Sequence, residues 1–139
     1  MSVAYLTRRV GFAAAHRYRR PEWDDATNEA TFGPCAHPNF HGHSYVCDVT
    51  VRGPIDERTG FCVDLAELDR VLAEEVRARF DHRNLNLDVA EFADGLLVPT
   101  GENLARLIFD RVGGRISAEV VEVVVAEDET LRISYRGGT

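Results

Sequence analysis

The stretch Cys35-Ala36-His37-Pro38-Asn39-Phe40-His41-Gly42-His43-Ser44-Tyr45 is where the reading of this chain begins. His41 and His43 lie two residues apart, and the residues after them alternate as far as Arg52. A strand there puts both imidazoles on one face, with Tyr45, Cys47, Val49 and Val51. Two neutral imidazoles side by side suit zinc, and a third nitrogen completes an open three-histidine site. His16, 25 residues upstream at the end of an apolar run, is the candidate third ligand. Cys35 stands six residues before His41, across a loop containing Pro38 and Asn39. Two roles are open to it: a fourth ligand, or a thiolate beside the metal. The competing reading is three unrelated surface histidines. The His-Gly-His triplet leading into a strand favours the metal.

At 139 residues, 45% of them hydrophobic, the chain is expected to form one domain, residues 1–139. A formal charge of −7 argues against a broad nucleic-acid face. A small anionic substrate is still compatible, because Arg8, Arg9, Arg17, Arg19 and Arg20 cluster near His16. Three cysteines, an odd number without a framework, suggest reduced thiols and a cytoplasmic setting. Arg8 and Arg9 interrupt the N-terminal apolar run, which does not read as a signal peptide, and no run approaches membrane-spanning length.

Around that stretch the chain reads in order as follows. Residues 4–14 form a first strand that delivers His16. Residues 17–33 are an irregular loop, with Trp23 and Phe32 capping the core. The second strand covers 42–52, and Phe61-Cys62-Val63 completes a hairpin. A helix starts at Asp64, which pairs with Glu67 in a capping-box pattern. Its apolar stripe is Leu65, Leu68, Leu72, Val76 and Phe80, and its outer face carries Glu67, Arg70, Glu74, Arg77 and Arg79. Asp81-His82 follows, either an ordinary polar turn or a carboxylate–imidazole proton relay. Thr100 caps a second helix with Leu104, Leu107, Ile108 and Val112 facing inward, and Glu102 favours its dipole. A third strand places Val121, Val123 and Val125 on one face. Glu127 ends that row, either at a wet strand mouth or as a deliberate acceptor. Leu131, Ile133 and Tyr135 alternate in a fourth strand. The order β-β-α-α-β-β predicts an α+β fold: a four-stranded antiparallel sheet with two helices on one face and two free edges.

Seven ordered blocks resemble the 6-pyruvoyl-tetrahydropterin synthase and 6-carboxytetrahydropterin synthase family. They are Phe12-Ala13-Ala14-Ala15-His16-Arg17, Cys35 with His41-Gly42-His43-Ser44-Tyr45, Thr59-Gly60 with Val63-Asp64, Leu68, Asp81-His82-Arg83-Asn84-Leu85, Thr100 with Glu102-Asn103, and Glu127. The resemblance implies the tunnelling fold (T-fold), in which trimers close their sheets into a barrel and two trimers stack as a homohexamer. It implies Zn2+ on His16, His41 and His43, with Cys35 as catalytic base. Asp81 and His82 match the family's proton-relay pair, supplied from a neighbouring subunit. Glu127 matches the acid that anchors the pterin, Thr100 and Glu102 fall in the pterin-side block, and Arg17 is the candidate for the triphosphate.

The implied reaction converts 7,8-dihydroneopterin triphosphate to 6-pyruvoyl-tetrahydropterin. The alternative branch makes 6-carboxytetrahydropterin on the queuosine route, releasing acetaldehyde. Five residues between Cys35 and His41, with Pro38-Asn39 inside, resemble the first branch, as does Phe92-Ala93-Asp94. A remoter alternative is a non-enzymatic module with a closed His3Cys zinc. No nicotinamide or flavin is implied, and no dinucleotide fingerprint is present. The chain departs from the family at Phe40, often Gly, at Ser44, often Asn, and at Gly101, often Thr or Ser, where a hydroxyl near the pterin pocket is lost. His37 is an extra histidine, read either as a surface residue or as an aid to Cys35.

Overall fold

A computed structural model of the chain describes residues 2–138. The elements in chain order are β1 (Val3–His16), α1 (Asp25–Phe32), β2 (His41–Pro54) and α2 (Leu65–Leu72). The last runs through a π-helical segment, Ala73–Arg77, into α3 (Ala78–Phe80). Then come β3 (Arg83–Asn84), α4 (Leu85–Asp88), α5 (Gly101–Gly113), β4 (Glu119–Asp128) and β5 (Leu131–Tyr135). The sheet order is β3-β1-β2-β4-β5. β1 and β2 pair antiparallel without a slip, from Val3 opposite Pro54 to His16 opposite His41.

The sheet has five strands rather than the four expected. The fifth is the short β3, parallel to β1 at Ala14 and Ala15. It exists because the turn after α3 is fastened to β1 on both sides of one residue. The Ala13 amide donates to Asp81 Oδ1 at 2.9 Å, and Ala13 O accepts from the His82 amide at 2.7 Å.

One face of the sheet is dry. Phe12, Ala14, Tyr45, Cys47, Val49, Val51, Val123 and Val125 pack against Leu68, Val71, Leu72, Val76, Phe80, Leu104, Ile108 and Val112. Phe12 stacks on Tyr45 with ring centres 4.9 Å apart and meets Phe80 at 5.5 Å. The other face is polar. Thr7 and Arg9 of β1 stand opposite Thr50 and Asp48 of β2, and each pair is joined by side-chain hydrogen bonds. The helix starts are as read: Asp64 accepts from the Glu67 amide and Thr100 from the Asn103 amide, both at 3.1 Å. Glu67 does not complete a capping box, because its carboxylate accepts from the Ser117 amide at 2.9 Å instead.

Four local expectations are corrected. Residues 17–33 are not uniformly irregular: Asp24 caps α1 through the Thr27 amide at 2.7 Å. The buried Asn28 then ties the segment together, accepting from the Arg20 amide and donating to Arg20 O. Trp23 does not cap the core; it lies at the surface, 37% exposed, stacked on Phe32. Phe61-Cys62-Val63 is not a strand, since Asp56 and Phe61 close a turn instead. Val121 leaves the buried row because β4 carries a bulge there: Thr50 pairs with Glu122 and Val51 with Val120. Val120 takes the inward place.

Candidate metal and pterin site

Period-two alternation brings the three histidines together. β1 ends in His16 and β2 begins at His41, directly opposite, with His43 two residues on. Their candidate donor nitrogens all lie within 4.8 Å of one another. His16 is fully buried, and burial, reinforced by the neighbouring His41 and His43 against the opposing effect of the Pro99 carbonyl, pushes its pKa down to about 4. Burial also lowers His41. His16 Nδ1 lies 2.9 Å from Pro99 O and 3.0 Å from the Tyr45 hydroxyl. Donation from Nδ1–H to Pro99 leaves the lone pair on Nε2, with the Tyr45 hydroxyl 3.5 Å away, the arrangement typical of a metal-binding imidazole. His43 Nε2 is buried with no hydrogen-bond partner among the described residues. Three imidazoles, one with an orphaned nitrogen, fit a bound metal ion.

Glu127 lies beside them, buried at 6% exposure. It is the extra residue of a second β4 bulge: Ala126 pairs with Arg132 and Asp128 with Leu131, leaving Glu127 unpaired in that ladder. Bulges commonly re-aim side chains next to functional sites. Glu127 Oε1 accepts from the Tyr18 hydroxyl at 2.9 Å, and Oε2 lies 3.8 Å from His43 Nε2. Tyr18 is tied in three places. Its amide donates to Cys35 O at 2.7 Å, its ring meets His16 edge-on at 4.9 Å, and its hydroxyl holds Glu127. Burial first, then the Glu127 charge, raises the Tyr18 pKa, keeping it a donor.

Cys35 sits half-buried in the 3-10 turn Gly33–Ala36. It lies outside the close set of ligand atoms formed by the three histidines. Burial, then Glu127, pushes its thiol up. His37 is exposed, and its Nδ1 accepts from the Asn39 amide at 3.2 Å. Arg17 lies over the Phe40 ring at 5.3 Å, and Asn86 grips its backbone by accepting from its amide and donating to its carbonyl. Arg8, Arg9, Arg19 and Arg20 are each ion-paired with a carboxylate, whereas Arg17 has no ion pair among the described residues. Arg17, Arg19, Asn28 and His37 line a cavity of about 840 Å³ against the Cys35 turn.

The remaining expected site residues are more dispersed. Thr100 spends its hydroxyl capping α5, which sets the neighbouring Pro99 carbonyl against His16. Glu102 is exposed on the first turn of α5. Asp81 Oδ2 lies 3.1 Å from His82 Nδ1, so the carboxylate–imidazole pair is formed. The Ala13 amide, with lesser help from His82 and Arg77, outweighs the effect of burial and lowers Asp81's pKa. The His82 side chain is 85% exposed, on the outer edge of the chain.

Comparison with known proteins gives the chain a family. The family model described as 6-pyruvoyl tetrahydropterin synthase matches residues 5–138. The chain belongs to that family. It is 42% identical over 137 residues to the 6-pyruvoyl tetrahydrobiopterin synthase of Drosophila melanogaster, covering 97% of this chain and 80% of the other. It is 38% identical to the human enzyme of the same name, covering 96% and 92%. A 6-carboxy-5,6,7,8-tetrahydropterin synthase of Bacillus subtilis is 32% identical over 111 residues, covering 75% of this chain and 71% of that one. The structure of the Caenorhabditis elegans 6-pyruvoyl tetrahydropterin synthase superposes with a TM-score of 0.93 at 34% identity, covering 99% and 98%.

Within the 6-pyruvoyl tetrahydropterin synthase family, two departures of this chain acquire a physical meaning. Phe40 stands at φ +67°, a left-handed conformation that glycine adopts freely and a bulky residue does not. Its ring is the surface on which Arg17 rests. At Gly101 any side chain would run into Ile133 of β5, so this chain has filled from the sheet side the space a Thr or Ser would need. Of two tyrosines touching the site, the sequence reading placed Tyr45 on the histidine face and did not single out Tyr18. Tyr18 follows His16 by two, and Tyr45 follows His43 by two. The alternation of β2 points to Tyr45, whereas Tyr18 lies just beyond the end of β1.

Proposed function

We propose that the protein is a zinc-dependent carbon–oxygen lyase that converts 7,8-dihydroneopterin triphosphate to 6-pyruvoyl-tetrahydropterin and triphosphate. The observation that carries the reading is the meeting of three imidazoles with a buried, tyrosine-held glutamate one bulge away. His16, His41 and His43 would hold the metal, which supplies Lewis-acid polarisation of the substrate's side-chain hydroxyls and acidifies the adjacent C–H bonds.

The chain's own groups do the rest. Glu127 takes the amino-pyrimidine edge of the pterin, with Thr100 and Glu102 on the pterin side. Cys35 takes up the proton released from the side chain. Its burial opposes ionisation, and a divalent cation on the nearby imidazoles works in the opposite direction. Asp81 keeps a charge beside His82, so the imidazole can return a proton elsewhere on the side chain. This pair would serve a neighbouring subunit of a homohexamer, which accords with the exposure of His82. Arg17, without a carboxylate partner among the described residues and lining the cavity against the Cys35 turn, receives the triphosphate. One proton and triphosphate leave, and the ring is reduced at the expense of the side-chain carbons. The balance needs no outside oxidant or reductant.

The deciding experiment is the mass of the product formed from 7,8-dihydroneopterin triphosphate by zinc-loaded protein, beside a chelator-treated control. A 6-pyruvoyl product that disappears with the metal is expected. A 6-carboxy product with acetaldehyde would move the protein to the branch of its Bacillus relative. Unchanged substrate with zinc firmly held would overturn the enzymatic reading.

A further inference from the structure

We infer that Tyr18 is a positioning residue that fixes Glu127 for recognition of the substrate's amino edge, an inference resting on the pterin role given to Glu127 above. Three contacts converge on this tyrosine. Its amide is bound to the carbonyl of Cys35, so it moves with the turn that carries the candidate base. Its ring is wedged edge-on between His16 and Phe32, at 4.9 and 5.9 Å. Its hydroxyl spans 109 residues of sequence to Glu127 Oε1.

The consequence for Glu127 is geometric. A glutamate side chain has several rotamers, and a carboxylate beside three imidazoles has two competing uses, as an acceptor for substrate N–H groups and as an oxygen donor to a cation. Because Glu127 sits in a bulge, its ladder neighbour does not restrain it. Oε1 is occupied by Tyr18, while Oε2 is 3.8 Å from His43 Nε2, too far for a hydrogen bond. Oε2 therefore has no direct hydrogen-bond partner among the described residues. Tyr18 thus leaves one oxygen for the substrate and sets its direction relative to Cys35.

The test uses Tyr18→Phe, which keeps the ring and removes the bond. Binding of 7,8-dihydroneopterin, and of the analogue with oxygen in place of its 2-amino group, is followed by fluorescence in the metal-loaded protein. The unmodified protein should prefer the amino form. In Y18F that preference should collapse by about tenfold, the scale of one hydrogen bond to a charged group, with KM rising and kcat changing far less. Metal content should not fall. A Y18F protein with the unmodified protein's preference overturns the inference. So does one that loses metal, kcat and thermal stability together, which is the behaviour of a tyrosine that only fills space. If the unmodified protein binds neither ligand, the proposed function fails, and a stability cycle of Y18F with Glu127→Gln still decides on Tyr18. Non-additive losses uphold the pairing, and additive ones overturn it.

Discussion

At the scale of the residue, Phe40 shows a compromise that a substitution can separate. A left-handed backbone costs a non-glycine residue about 1–2 kcal/mol, and glycine returns part of this through its greater freedom in the unfolded chain. Phe40→Gly should therefore shift thermal stability by less than about 1 kcal/mol. It should raise KM for the triphosphate substrate several-fold, because Arg17 loses its platform; an unchanged KM would remove Arg17 from the triphosphate site. His16 gives the pH prediction. Its folded value is about 4, below its ordinary 6.5, so the unfolded chain takes up the proton first as pH falls. Chelator-treated protein should keep the His16 contribution above pH 6.5 and lose it down to about pH 4, on the order of 3 kcal/mol in denaturant titrations. His16→Gln should flatten that stretch, and an already flat profile in the unmodified protein would contradict the burial argument. The three histidines were legible because period two is a hard geometric rule. Tyr45 obeys the same rule and was read on their face, whereas Tyr18 stands beyond the end of β1, where period two no longer reaches.

At the scale of the element, α5 acts through its first turn. Thr100 caps it, and the capped turn sets the Pro99 carbonyl against His16. Thr100→Ala should cost about 1 kcal/mol of stability, the usual value of a lost cap. It should also weaken metal affinity by about tenfold, because the partner that orients His16 is loosened. Asp64→Ala removes a comparable cap from α2, far from the histidines in sequence, and should cost stability alone. Equal metal affinity in both variants would show that the α5 turn does not orient the ligand. The strands and both long helices were readable from periodicity and caps. What escaped was every place where the count of residues per turn or per pair changes. The bulges moved Val121 off the buried row and singled out Glu127. The π segment lies where an acid has turned inward: Glu75, at 6% exposure, pairs with Arg111 and Arg115. Burial alone would raise its pKa, but those two arginines outweigh it and hold the carboxyl below its usual range. β3 was invisible because two residues carry no pattern; it depends on tertiary docking at Ala13.

At the scale of the whole molecule, the candidate site is divided between an interior and an edge. Cys35, Glu127 and the histidines gather at one end of the sheet, while His82, held by the half-buried Asp81, faces outward. If a neighbouring subunit supplies the pair, Cys35→Ala and His82→Ala proteins, each inactive alone, should regain about a quarter of full activity when mixed one to one and reassembled, by random combination in a symmetric oligomer. No recovery would place both halves in one chain. The polar face of the sheet carries a further meaning. Thr7 with Thr50 and Arg9 with Asp48 complete one another's bonding within the chain. That side asks nothing of a companion, and the core closes on the opposite side without one. If the proposed homohexamer forms, such a protomer can finish folding in solitude and associate afterwards. On dilution, circular dichroism should then remain that of the native chain while turnover per chain falls away, so the cell's concentration of this protein, more than its folding, would govern how much of it works.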